Sequence, residues 1–138
     1  MIGDFGDPLD TDTYTVCLYD ESGASPSLIF RMTAPAGGVC GSRSCWRRVG
    51  DGGLAYKDKE RTPEGVDTAR VTVNARGGVR LSVKGKGVNL SNRAVPLLVP
   101  PLSLPLRAQL QVGNGECWEA TYDAASRNSP GLFKGAAE

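Results

Sequence analysis

The chain contains no histidine. Its absence removes Ser-His-Asp and Cys-His nucleophile activation, histidine acid–base work and every histidine-containing zinc site. No serine is followed by a lysine three residues on, so a Ser-x-x-Lys hydrolase is not supported either. The glycines of "VKGKG" (83–87) lack the spacing of a phosphate-cradling loop and no helical pattern follows them. Aromatic residues are few, with two Trp, four Tyr and three Phe, so a ring-stacking site has a short list of candidates. No apolar stretch is long enough to read as a membrane-spanning helix. Helix-length windows are scarce as well. With 18 Gly and 9 Pro among 138 residues, the longest stretches free of both are the fourteen residues of Leu9–Ser22 and of Glu116–Ser129. Each reads as alternating strand at one end and turn at the other.

What remains is short alternating segments separated by turn clusters. This predicts a single all-β domain: one β-sandwich of about eight short antiparallel strands, of jelly-roll or immunoglobulin-like type. An acidic entry over 1–12 precedes the sandwich (13–125), and a tail over 126–138 follows it. The strands are "TYTVCLY" (13–19), "SLIFRM" (27–32), "CWRRV" (45–49), "LAYKD" (54–58), the two arms of "RVTVNARGGVRLSVKGK" (70–86), "LRAQLQV" (106–112) and "CWEATY" (117–122). In the long hairpin, Val71 and Val73 must share a face with Val79, Leu81 and Val83, so paired residue numbers sum to an even value and a two-residue loop is excluded. The best-fitting loop is Arg76-Gly77-Gly78, which pairs Val73 with Leu81, Val71 with Val83 and Arg70 with Lys84.

The uncharged run "AVPLLVPPLSLPL" (94–106) cannot be helical through its prolines and should not lie exposed. It reads as an extended crossover over an edge or end of the sandwich, with Leu97, Leu98, Val99, Leu102 and Leu104 buried. Its alternative is a docking surface for a partner.

Four cysteines in a small Gly-rich β domain point to disulfides and an oxidising compartment. Cys40 and Cys45 bracket a short loop and can close on each other. Cys17 and Cys117 both alternate away from the core-facing residues of their strands, so they are expected to pair and tie the first strand to the last. The opening "MIGDFGDPLD" has no basic-then-apolar signal layout, so Met1 reads as a native start or as the start of an excised mature domain; the cysteines favour the second.

Charge is nearly balanced at +1 but unevenly spread. Residues 1–42 carry six acids and one base, and residues 43–93 carry twelve bases and five acids. The outward face of the long hairpin holds Arg70, Arg80 and Lys84, continued by Lys86. Its expected company is the acidic segment of Asp4, Asp7, Asp10 and Asp12, or else an external polyanion. Those aspartates lack the glycine turn and distant glutamate of a helical-hand calcium loop, and no metal or cofactor is expected. For sugar stacking the candidate rings are Tyr19, Trp46 and Tyr56, although Trp46 beside Cys45 equally suits a core plug.

The segments "TYTVCLYD", "CWRRVGDGGLAYKDK", "SVKGKGVNL", the Pro-Leu run and "GECWEATY" occur in this order across nearly the whole chain. Together they resemble a Cys-containing all-β domain of predicted exported proteins from environmental bacteria, a family that brings no catalytic residues with it. The resemblance implies bacterial origin and an extracellular or cell-surface location. The sequence therefore points to a non-catalytic accessory module that binds carbohydrate or cell-surface polymer, with no nucleic-acid partner and no membrane span. A structural or adhesive module for protein–protein assembly is the alternative.

Overall fold

The structure is a computed structural model, and it describes residues 2–86, 89, 102–129 and 132–135. Among the described residues a 3-10 turn over Ile2–Phe5 is followed by the strands β1 (Tyr14–Asp20), β2 (Ser27–Ala34), β3 (Val39–Cys40), β4 (Arg43–Ser44), β5 (Trp46–Arg48), β6 (Gly53–Lys57), β7 (Val66–Val73), β8 (Val79–Gly85), β9 (Leu106–Val112), β10 (Cys117–Tyr122), β11 (Arg127–Ser129) and β12 (Leu132–Lys134). They form two four-stranded sheets, in the orders β10-β9-β1-β2 and β5-β6-β7-β8, and two small hairpins, β3-β4 and β11-β12. The described pairings are all antiparallel.

Alternation decides which side chains meet between the two larger sheets. Tyr14, Ala34, Leu110 and Val112 of the first join Trp46, Leu54, Tyr56, Val66, Ala69 and Val71 of the second in one hydrophobic cluster. Its centre is aromatic: the Trp46 ring lies 5.0 Å from Tyr14 and 5.1 Å from Tyr56, and its indole N–H donates to the Pro35 carbonyl at 2.8 Å. Phe5 stacks on Trp118 at 4.3 Å, and its carbonyl accepts the Tyr14 hydroxyl proton at 2.7 Å. Burial, and after it the negative charge of Asp12, holds the Tyr14 phenol far above its ordinary pKa.

The hairpin β7–β8 keeps the expected parity but shifts its register. Val73 faces Val79, Val71 faces Leu81 and Ala69 faces Val83. The reason is Asn74. Its side-chain oxygen accepts the amides of Arg76 and Gly78 while its own amide bonds Gly78, so the three-residue loop is Ala75–Gly77. Gly77 rather than Gly78 takes the left-handed φ, at 80°. Val79 and Leu81, expected in the core, are exposed: β8 is the edge of its sheet, and the other sheet approaches chiefly through β2 against β7.

Cys40 and Cys45 form a disulfide across the β3–β4 hairpin, as the spacing predicts. The expected bond between Cys17 and Cys117 is absent, and both are free thiols. They do share a sheet face, but β9 runs between β1 and β10. Cys17 pairs with Gln109 and Cys117 with Gln111, so the two cysteines stand two strands apart, about 10 Å across the sheet and beyond the ~7 Å reach of a disulfide. Cys17 is buried, and burial pushes its thiol pKa up against the opposing pull of Arg31; Cys117 is exposed. A thiol titration should thus give one fast-reacting group in the native protein and two in denaturant without reductant. Finding no free thiol in denaturant would contradict this pairing.

Of the Pro-Leu run, Leu102 and Leu104 are half-buried, less than expected, and Leu106 is fully buried at the start of β9. Leu97, Leu98 and Val99 lie outside the described residues. Leu102 is held by the Asn128 side-chain amide, which accepts its N–H at 2.7 Å and donates to its carbonyl at 2.6 Å, as a neighbouring strand would.

Candidate ligand-binding face

The rings proposed for sugar stacking fare unequally. Trp46 and Tyr56 are buried in the core, at 2% and 3% exposure, and cannot meet a ligand. Tyr56 is desolvated and lies beside the Asp58 carboxylate, causes that push its pKa up to about 12. Tyr19 stands half-buried on the outer face of sheet β10-β9-β1-β2, but the Arg107 guanidinium covers its ring at 5.2 Å. The cations of that face are neutralised: Arg107 pairs with Glu21 at 2.8 Å and Glu119 at 3.5 Å, and Arg31 with Glu64 at 3.1 Å.

The outer face of sheet β5-β6-β7-β8 is built differently. Because Trp46 and Tyr56 turn inward, Arg47 and Lys57 turn outward beside them. Three rows of paired residues cross this face: Lys57–Thr68–Lys84, Arg47–Ala55–Arg70–Ser82 and Gly53–Thr72–Arg80. The outward positions therefore hold five cations, three hydroxyl side chains, an alanine and a glycine, with no acid and no aromatic ring. All five cations are exposed, and among the described residues none makes an ion pair. The acids nearest in sequence are engaged elsewhere. Asp58 caps its own loop, and Asp67 holds Arg61 at 3.3 Å.

The structure thus brings Arg70, Arg80 and Lys84 together on one face, with the exposed Lys86 just past the end of β8. It adds Arg47 and Lys57, which are not among the candidates legible in the hairpin. The signal was present: once Trp46 and Tyr56 are assigned to the core, strict alternation points both neighbours out. The register shift also alters the pattern within the face. Arg70 stands opposite Ser82 rather than Lys84, and Arg80 opposite Thr72, so every cation on β7 and β8 has a hydroxyl across from it. Direct like-charge opposition, which destabilises a sheet, is avoided without any acid.

The acidic entry segment is not the partner of this face. The Asp7 carbonyl accepts the amides of Asp10, Thr11 and Asp12, and the Asp12 carboxylate accepts the Asp7 amide at 2.7 Å. Thus folded on itself, the segment docks where Gly37 bonds the Pro8 carbonyl, and its Ile2, Gly3, Gly6, Asp7 and Leu9 line a cleft of about 390 Å³ with Arg48 and Leu54. Arg48 and Leu54 alternate to the inner face, opposite to Arg70, Arg80 and Lys84. Among the described residues no cluster of three or more His, Cys, Asp or Glu is arranged to hold a metal ion. No described helix is long and apolar enough to cross a membrane.

No family model matches the chain, and no curated protein or solved structure matches it.

Proposed function

We propose that the protein is a non-catalytic binding module, a sandwich-type β domain of an exported bacterial protein, that holds carbohydrate or another cell-surface polymer against the outer face of β5-β6-β7-β8. The observation that carries this reading is the set of five exposed cations on that face without a single ion-pair partner among the described residues. Solvated cations gathered on one regular surface repel one another, and an external anion relieves that repulsion. The disulfide suits an oxidising compartment, and the missing histidine removes the commonest acid–base chemistry. Retention on a panel of immobilised neutral and acidic polysaccharides, followed by amide chemical-shift mapping, tests the proposal. Retention with shifts centred on β6, β7 and β8 is expected. No retention on any polymer, or shifts confined to the face around Tyr19, would overturn it.

The second reading, a structural or adhesive module for protein–protein assembly, rests on Val79 and Leu81, exposed at 50% and 38% along the edge strand β8. It predicts self-association or capture of a protein partner that Leu81→Lys abolishes. A monomer by sedimentation across the accessible concentration range argues against self-assembly.

A further inference from the structure

Building on the polymer-binding reading, we infer that the ligand is a linear acidic polysaccharide, laid diagonally across three strands along Lys57, Arg70 and Arg80. The pairing registers place these residues on successive strands and in successive rows: Lys57 in the first row on β6, Arg70 in the second on β7, Arg80 in the third on β8. With strands ~4.8 Å apart and two residues spanning ~6.8 Å, each step is about 8 Å and the line about 17 Å long. Arg70 is its midpoint. Lys84 and Arg47 stand on either side of the line, each about 8–10 Å from Arg70 by the same spacings, so Arg70 is the hub of all five cations.

The residues between the charges favour this class of polymer over other polyanions. A single-stranded nucleic acid is held by stacking bases on aromatic rings, and the outward positions carry none. An anionic membrane would be gripped by large apolar side chains projecting among the cations, whereas Val49, the apolar side chain at the rim of this face, is half-buried against Gly53. The intervening Thr68, Thr72 and Ser82 offer hydroxyls that both donate and accept, matching sugar hydroxyls and ring oxygens. Gly53 and Ala55 are buried beneath their neighbours on this face, with Val49 packed against Gly53, so the groups a chain can reach are the cations and the hydroxyls. The site therefore selects charge that recurs along a straight chain, and does not depend on a stacked sugar ring.

The test uses the full chain and size-defined heparin oligosaccharides as probe, with neutral dextran, duplex DNA and anionic phosphatidylserine vesicles as comparisons. Heparin fragments long enough to span the diagonal should bind, with affinity falling on added salt at a log–log slope of about 2–3 if each pairing releases counterions as on a nucleic-acid strand. Arg70→Glu should weaken binding at least tenfold, and Lys57→Glu and Arg80→Glu severalfold each. Arg127→Glu, an equal change in net charge at an exposed position on β11, should leave binding near wild type. Arg70→Gln, read by the same titration, replaces the reversal if that variant fails to fold. Equal losses from Arg127→Glu and Arg70→Glu would overturn the inference, since net charge alone would then govern binding. So would salt-insensitive binding or equal binding of dextran, although either leaves the polymer-binding reading standing. DNA or vesicles binding as tightly as heparin would overturn the assignment to polysaccharide. Failure of every polysaccharide to bind would overturn both.

Discussion

Replacing Trp46 by alanine is expected to lower the free energy of unfolding by about 3–5 kcal/mol. For a domain of ordinary stability, ~5–15 kcal/mol, this is a large share of the whole. The loss has two sources. The indole is 2% exposed and wedged between Tyr14 of one large sheet and Tyr56 of the other, so its removal leaves a void lined by rings that cannot collapse far. It also strands the Pro35 carbonyl, which accepts the indole N–H at 2.8 Å. Trp46→Phe should recover much of the packing and none of the hydrogen bond, and so fall between wild type and Trp46→Ala. Denaturant unfolding followed by circular dichroism measures all three. A loss below 1 kcal/mol for the alanine variant would show that Trp46 is not the contact holding the two sheets together.

Asp58→Ala should cost roughly 3 kcal/mol and remove part of the acid sensitivity of the fold. Asp58 is the one buried charged residue described, at 4% exposure. Its carboxylate accepts the amides of Glu60 and Thr62, both at 2.9 Å, and the Thr62 hydroxyl at 3.2 Å. Burial alone would raise its pKa. The bonds from the backbone of Thr62 and Glu60 outweigh that and hold it below the ordinary carboxylate value. A folded-state pKa below the unfolded one contributes stability above about pH 4, and that stability is lost as pH falls through the folded value. Wild type should therefore lose stability steadily below pH 4, and Asp58→Ala should lose less over the same range. Identical acid limbs for the two proteins would sink the assignment.

The same residue joins the loop to the core, since its carboxylate stands beside the Tyr56 hydroxyl. It also illustrates what was hidden in the sequence. Nothing in "LAYKDKERTPEG" marks one aspartate as buried, because the partners that make burial tolerable are backbone amides, and every residue type except proline supplies those. Side-chain faces were legible, by contrast. Alternation identifies β9 and β10 residue for residue and sends Leu106, Leu110 and Val112 inward. What alternation cannot convey is which strands are neighbours. Cys17 and Cys117 do point to the same side, and the expected bond fails only because β9 intervenes. Register was half legible. Parity excluded odd sums, while the choice between Gly77 and Gly78 as the left-handed residue depended on the Asn74 side chain.

The candidate face was legible in the same incomplete way. Arg70, Arg80 and Lys84 follow from the hairpin alone. Arg47 and Lys57 emerge only once Trp46 and Tyr56 are recognised as core residues, because a ring held open for a ligand turns its neighbours the wrong way. The all-β class and the short disulfide needed no tertiary information. They follow from the density of glycine and proline and from the spacing of Cys40 and Cys45.

The strand orders bear on how the protein is made. Sheet β5-β6-β7-β8 is a run of consecutive hairpins, so each strand finds its partner among residues just synthesised. Sheet β10-β9-β1-β2 joins the two ends of the chain: Asp20 waits for Leu106, and Tyr14 for Val112. On the ribosome, β1 and β2 can pair at once, but the other edge of β1 stays open until most of the polypeptide has been synthesised. During that interval Tyr14 and Val16 lack the cover of Leu110 and Val112, and an open strand edge beside bare apolar side chains invites pairing with a neighbouring nascent chain. The stage at which this chain is most prone to aggregate therefore precedes the emergence of β9, when the basic sheet is already formed and carries the positive charge that keeps two such intermediates apart.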